Sequence, residues 1–127
     1  MENKRQRINR TGFFVCIILL FIVFFPAIIA AHAPSNVKVG YDQTAETLNV
    51  TITHTKPSNN HYIDKVEIKK NGKPFNVIEY KNQTDETVNY SYKVDAVAGD
   101  TFEVKVSCNK FGSKTQKFTV PDKSKIK

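Results

Sequence analysis

Four residues of this chain have side chains that bind soft or borderline metal ions. They are the three histidines, His32, His54 and His61, together with Cys108, which is the cysteine outside the apolar N-terminus. Imidazole nitrogen and thiolate sulfur are ligand types that zinc, copper and iron accept in proteins. A metal site therefore requires that the fold bring these four side chains to one place. Each of these residues could also have an ordinary structural role. A free cysteine, for example, is often a buried apolar side chain.

The elements that must position these residues are β-strands. After residue 31, apolar and polar residues alternate with a period of two, which is typical of half-buried sheet. Turn signals separate the segments, most clearly Asn71-Gly72, because both residues tolerate a positive φ. This pattern predicts an all-β fold, a seven-stranded immunoglobulin-like antiparallel sandwich. The predicted strands lie around Val37–Val39, Leu48–Ile52, Tyr62–Ile68, Phe75–Tyr80, Val88–Val94, Phe102–Val106 and Phe118–Val120.

Antiparallel alternation predicts that the candidate ligands share one end of this sandwich. The second strand ends at His54, and the third strand begins at the same end, after His61. The sixth strand also ends there, at Cys108, and the first strand starts there, just after His32. Strand counting alone therefore places all four residues at one pole of the fold.

The first 31 residues have the composition of an export signal. A basic segment is followed by residues 13–31, which contain no charged side chain. This pattern is typical of a signal peptide, and the apolar segment is also long enough for an uncleaved membrane-anchor helix. We expect residues 1–31 to be one or the other, residues 32–120 to be the sandwich domain, and residues 121–127 to be a basic tail. The domain would then be secreted, or anchored to the membrane through its N-terminal segment, on the outer face.

Composition argues against several other classes of protein. Of the formal net charge of +7, residues 32–127 carry +4, from 15 lysines and 11 acidic residues. These lysines are scattered without an aromatic-basic cluster, so we expect no nucleic-acid partner. Because Cys16 lies in the apolar segment and Cys108 stands alone behind it, a disulfide scaffold is excluded. The sequence also shows no catalytic Ser-His-Asp set, no paired-carboxylate cleft and no glycine-rich phosphate loop.

Four stretches of the chain occur in an order found in a known family: His32-Ala-Pro34, His54, His61-Tyr62-Ile63, and Cys108-Asn109 with Gly112. They resemble the ferrous-iron domain of desulfoferrodoxin and neelaredoxin, the superoxide reductases, over most of residues 32–120. The resemblance implies an immunoglobulin-like sandwich with Fe2+ held by histidines and an axial cysteine thiolate. It also implies superoxide as substrate and a separate, unknown electron donor.

The chain departs from the family pattern at two places. Phe111 stands where the family has a histidine, and Ala30-Ala31 stand where a Glu-Lys pair usually precedes the first histidine. The resemblance therefore implies an incomplete site, in which water or a backbone group fills the vacant equatorial position on iron.

Three histidines and one cysteine also suit a closed tetrahedral Zn2+ site. Cleavage after Ala31 would place a free amino group beside the imidazole of His32, which suits Cu2+.

Two classes of function follow from the sequence. The first is a metal-binding domain that is similar to desulfoferrodoxin and is exported or anchored to the membrane. Such a domain could bind the metal with or without superoxide reductase-type oxidoreductase activity. The second is a non-enzymatic immunoglobulin-like surface or adhesion module with a structural or vestigial metal site. Glycosylation sequons begin at Asn49, Asn82 and Asn89 and fit an exposed exterior.

Overall fold

Seven antiparallel strands build the part of the chain that the computed structural model describes, residues 32–122 and Ser124. Every strand pair is antiparallel. The predicted all-β, seven-stranded antiparallel sandwich is thereby confirmed. The strands are β1 Asn36–Asp42, β2 Thr47–Thr53, β3 Ile63–Lys70, β4 Lys73–Glu79, β5 Thr87–Lys93, β6 Thr101–Cys108 and β7 Ser113–Thr119.

The strands form two sheets, with three strands in the order β1-β2-β5 and four in the order β4-β3-β6-β7. Alternation along β2, β3 and β6 turns aliphatic residues and Phe102 inward, where the two sheets face each other. Their outward residues are polar or charged, as in the cross-strand pair of Lys105 with Glu67, whose charged atoms lie 3.4 Å apart. The buried core consists of Val37, Leu48, Val50, Ile52, Ile63, Val66, Ile68, Val94, Phe102, Val104, Val106 and Val120.

Three tyrosines pack against this core from the end of β4 and from β5. The rings of Tyr80 and Tyr90 stack with centroids 4.3 Å apart. The hydroxyls of Tyr80 and Tyr92 are hydrogen-bonded at 2.8 Å. Burial raises the pKa of all three phenols, and for Tyr92 the hydrogen bond to Tyr80 raises it further. The folded state therefore favours the neutral form of these side chains.

We expect these tyrosines to make the fold sensitive to alkaline pH. Folding raises the pKa of these tyrosines. Their contribution to the free energy of unfolding is therefore complete below the unfolded tyrosine pKa of about 10, and it is lost as pH rises from there through the higher pKa of the folded state. Ultraviolet phenolate absorbance should therefore rise together with loss of β-sheet circular dichroism, and Tyr92→Phe should move this transition to higher pH. Full ionisation of all tyrosines with the sheet signal intact would contradict the expectation.

The strand order brings several chain segments to one end of the sandwich. The end of β2, the start of β3 and the end of β6 meet there, as do the start of β1 and the loop of residues 80–86 between β4 and β5. We call this end the histidine pole, defined by His32, His54, His61 and Cys108. The turn at Asn71-Gly72, with φ values of 51° and 76°, lies at the opposite end of β3.

The predicted signal or anchor of residues 1–31 lies outside the described residues, as does most of the predicted basic tail. Within residues 32–122 and Ser124, no helix has the length and apolar character needed to cross a membrane. The domain boundaries and the export of the chain therefore stay predictions.

Candidate metal centre

Three of the predicted ligands meet at the histidine pole. His54, His61 and Cys108 each offer one ligand atom, and these atoms all lie within 4.8 Å of one another. His54 directly follows β2, His61 lies two residues before β3, and Cys108 is the last residue of β6. The side chains of His54 and Cys108 are only 1% and 7% exposed. The group is thus built from three strand ends and is largely shielded from solvent.

His32 approaches the same group from the segment that leads into β1. Its Nδ1 atom lies 3.3 Å from Nε2 of His61. Its main-chain carbonyl oxygen lies 3.1 Å from Nε2 of His54. The structure therefore groups the ligand atoms of His54, His61 and Cys108, and it places His32 against both histidines but outside that group. Metal binding by any of the four stays a prediction.

A buried glutamine determines which ring nitrogen of His54 is available to bind a metal ion. Nδ1 of His54 lies 2.9 Å from Oε1 of Gln83. That oxygen also accepts the N–H of Ile63 at 3.1 Å, while Nε2 of Gln83 donates to the carbonyl of Asp85 at 2.7 Å. These partners fix the orientation of the amide, so Nδ1 of His54 must be the donor. In the neutral ring, Nε2 is then the atom that carries a lone pair toward the pole.

His61 is oriented in the same way by the loop that precedes it. Its Nδ1 donates to the carbonyl oxygen of Lys56 at 3.0 Å, so its Nε2 also faces the pole. Lys56 adopts a left-handed φ of 53°, and its N–H donates to Oε1 of Glu86 at 3.1 Å. The carbonyl of Glu86 accepts the N–H of His54 at 2.8 Å. Glu86 therefore ties the two histidine-bearing segments to the loop of residues 80–86.

The segment after β6 supports Cys108 from the other side. The N–H of Lys110 points at the sulfur from 3.5 Å. Oδ1 of Asn109 accepts the N–H of Tyr62 at 3.0 Å, and its Nδ2 donates to the carbonyl of Asn60 at 3.2 Å. Asn109 thereby joins the cysteine segment to the histidine segment.

The donor atoms fit a transition-metal ion. Histidine nitrogen and cysteine sulfur bind zinc at about 2.0–2.3 Å, so two ligands of one ion lie at most about 4.6 Å apart. That limit applies to ligands on opposite sides of the ion, and neighbouring ligands lie about 3–3.7 Å apart. Since the atoms of His54, His61 and Cys108 lie within 4.8 Å of one another, binding one ion requires the side chains to close by up to roughly an ångström. Metal-binding histidines usually donate their second ring nitrogen to an oxygen, as His54 and His61 both do.

Gln83 and Glu86 did not emerge from the sequence as site residues. They lie in a polar loop with no periodicity, and nothing in their spacing indicates that one of them contacts His54.

Phe111, which stands where the resembling family has a histidine, is 71% exposed. The structure therefore offers no packed side chain in place of the missing histidine at this position.

Comparisons with solved structures found distant similarities to superoxide reductases. The superoxide reductase of Nanoarchaeum equitans is 19% identical over 70% of this chain and 92% of its own, with a TM-score of 0.43. The superoxide reductase (neelaredoxin) of Ignicoccus hospitalis is 16% identical over 75% and 87%, with a TM-score of 0.47. A substituted form of the Ignicoccus hospitalis protein is 14% identical over 75% and 86%, with a TM-score of 0.44. The sequence matches no protein-family profile and no curated protein.

Proposed function

We propose that residues 32–120 form an iron-binding domain whose ligands are His32, His54, His61 and Cys108. The observation that carries this proposal is the orientation of two histidine rings. Both His54 and His61 donate Nδ1–H to an oxygen, which leaves both Nε2 atoms available to an ion, and a ring nitrogen of each lies within 4.8 Å of the other and of the sulfur of Cys108. Imidazoles with one thiolate suit iron, and they also suit zinc or copper.

The finer part of the proposal is one-electron reduction of superoxide to peroxide. Bound Fe2+ would supply the electron, and an external donor would return it. The chain's own residues hold the ion, and burial of His54 and Cys108 limits the access of water. The N–H of Lys110 would donate to the sulfur of Cys108 once that sulfur is bound to the ion, and such a contact tunes a metal–thiolate centre. The motif resemblance at His61-Tyr62-Ile63 and Cys108-Asn109 supports this choice of reaction.

We further propose that the domain works outside the cytoplasm. The basic segment followed by the uncharged residues 13–31 supports export or membrane anchoring, with the domain on the outer face. A cleaved chain would be secreted, and an uncleaved chain would contact the membrane through this segment.

A second candidate function is a non-enzymatic surface module with a structural metal. The outer face of the β1-β2-β5 sheet favours it, because uncharged polar side chains pair across the strands there. Thr51 donates to Asn89 at 2.7 Å, and Ser91 donates to Asn49 at 2.7 Å. Such a face suits contact with another hydrated surface. A metal-loaded domain that consumes no superoxide would favour this second function.

Metal analysis of the full chain tests the proposal. After anaerobic loading with Fe2+ and removal of excess ion, we expect about one ion per wild-type chain, as a single four-residue site requires. The His54→Ala/His61→Ala double variant should retain almost none. His61→Ala alone, at a half-buried position, separates loss of ligand from loss of fold. Gln116→Ala on β7 is the control that should bind like wild type.

Equal metal content in wild type and in the double variant would overturn the proposed site. Superoxide consumption by the loaded chain, compared with the metal-free chain, then tests the finer part separately.

A further inference from the structure

The main-chain carbonyl oxygen of His32 lies 3.1 Å from Nε2 of His54, the ring nitrogen that remains after Nδ1 has donated to Gln83. Nδ1–H of His54 is donated to Gln83, so Nε2 of the neutral ring carries only a lone pair. The carbonyl oxygen of His32, 3.1 Å away, can only accept. Two lone-pair atoms facing each other at this distance repel, unless a proton or a cation lies between them.

We propose that His32 is a two-point metal ligand, binding through its main-chain carbonyl oxygen as well as through Nδ1 of its ring. This inference rests on the proposed metal site. Two ligand atoms 3.1 Å apart subtend about 90° at an ion that is about 2.2 Å from each. The 3.3 Å between Nδ1 of His32 and Nε2 of His61 likewise suits neighbouring positions on one ion. One ion thus accounts for both close contacts of His32.

The backbone that carries this carbonyl is anchored by contacts that need no metal. The N–H of Ser35 donates to the carbonyl of Thr53 at 2.8 Å, and its hydroxyl donates to the same oxygen at 3.0 Å. Lys114 donates to the carbonyl of Ser35 at 2.6 Å, and Pro34 is buried. The segment is therefore held along β2, and the His32 oxygen faces the pole before an ion arrives.

A main-chain oxygen ligand changes the number of ligand atoms at the site and the angles between them. Three imidazole nitrogens and one sulfur make four donors, which is the number that a closed tetrahedral zinc site takes. The oxygen makes a fifth, harder donor and narrows the angles between neighbouring ligands from tetrahedral values toward 90°. The resulting site suits an ion that accepts five or more ligands, such as Fe2+, and holds Zn2+ in its five-coordinate rather than its tetrahedral form.

Selective isotope labelling tests this ligand directly. His32-Ala33 is the one His-Ala pair in the sequence, so labelling the carbonyl carbon of histidine and the amide nitrogen of alanine gives a single carbonyl correlation in the full chain. One equivalent of Zn2+, a diamagnetic probe, should move that carbonyl resonance downfield by several parts per million. In His32→Phe, which keeps the oxygen and creates a unique Phe-Ala pair, the equivalent shift should persist at a higher Zn2+ concentration.

The matched control uses the same histidine label with labelled tyrosine nitrogen. The unique His61-Tyr62 pair then reports the carbonyl of His61, which accepts the N–H of Ser58 at 2.7 Å and should barely move. If the histidine ring signals respond to Zn2+ while the His32 carbonyl stays in place, the carbonyl ligand is wrong and the metal site stands. If no ring signal responds, the metal site itself is wrong.

Discussion

Cys108→Ser should abolish the visible absorption band of the oxidised, iron-loaded protein. A thiolate bound to Fe3+ gives a charge-transfer band, and a serine hydroxyl in its place gives none. The sulfur of Cys108 belongs to the group of ligand atoms that lie within 4.8 Å of one another, so it is placed to bind any ion held by the histidines. We expect complete loss of the band and at least a tenfold, or ~1.4 kcal/mol, loss of iron affinity.

The chain provides its own control for this substitution. Cys16 is the second cysteine and lies in the apolar N-terminal segment. Cys16→Ser should leave the band unchanged, which separates loss of the ligand from general loss of thiol. Since Cys108 is buried and serine is nearly isosteric, circular dichroism of Cys108→Ser should match wild type. A band that survives in Cys108→Ser would show that this sulfur is not a ligand.

The positions of the candidate ligands could be predicted because they depend on strand order. Alternation of Leu48, Val50 and Ile52 marks β2, and the same spacing of Phe102, Val104 and Val106 marks β6. Antiparallel alternation then carries His54 and Cys108 to the same pole. Both steps need only the alternation of buried and exposed residues along a strand, and this alternation can be seen in the sequence itself.

The supporting contacts were not predictable because they depend on loop conformation. The loop of residues 80–86 has no burial period, and only its folded path puts Gln83 against His54. The carbonyl of Lys56 reaches His61 because Lys56 adopts a left-handed φ, which its residue type does not indicate. The resemblance implied that a water or a backbone group fills the ligand position left vacant by Phe111, without indicating which. The proposed ligand, the carbonyl of His32, became evident only from its contact with His54.

Gln83→Met should weaken metal binding by about ten- to a hundredfold, although Gln83 itself contacts no ion. Methionine has a similar length and removes both the oxygen that holds Nδ1 of His54 and the amide that donates to Asp85. His54 would then lose the contact that leaves its Nε2 free. The buried N–H of Ile63 would also lose its acceptor, at a cost of about 1–3 kcal/mol in unfolding free energy.

A conservative variant and a destabilised control separate positioning from stability. Gln83→Glu keeps an oxygen acceptor for His54 and Ile63, so it should restore near-wild-type affinity even though its contact with Asp85 is lost. Val94→Ala, a core substitution beyond the far end of β5, should cost the fold a comparable amount and leave metal affinity unchanged. Titration with Zn2+, read by the nitrogen shifts of the histidine rings, reports both affinity and tautomer. If Gln83→Met binds as tightly as wild type with Nε2 of His54 still the bound atom, this glutamine does not position the ligand, and ring packing alone must do so.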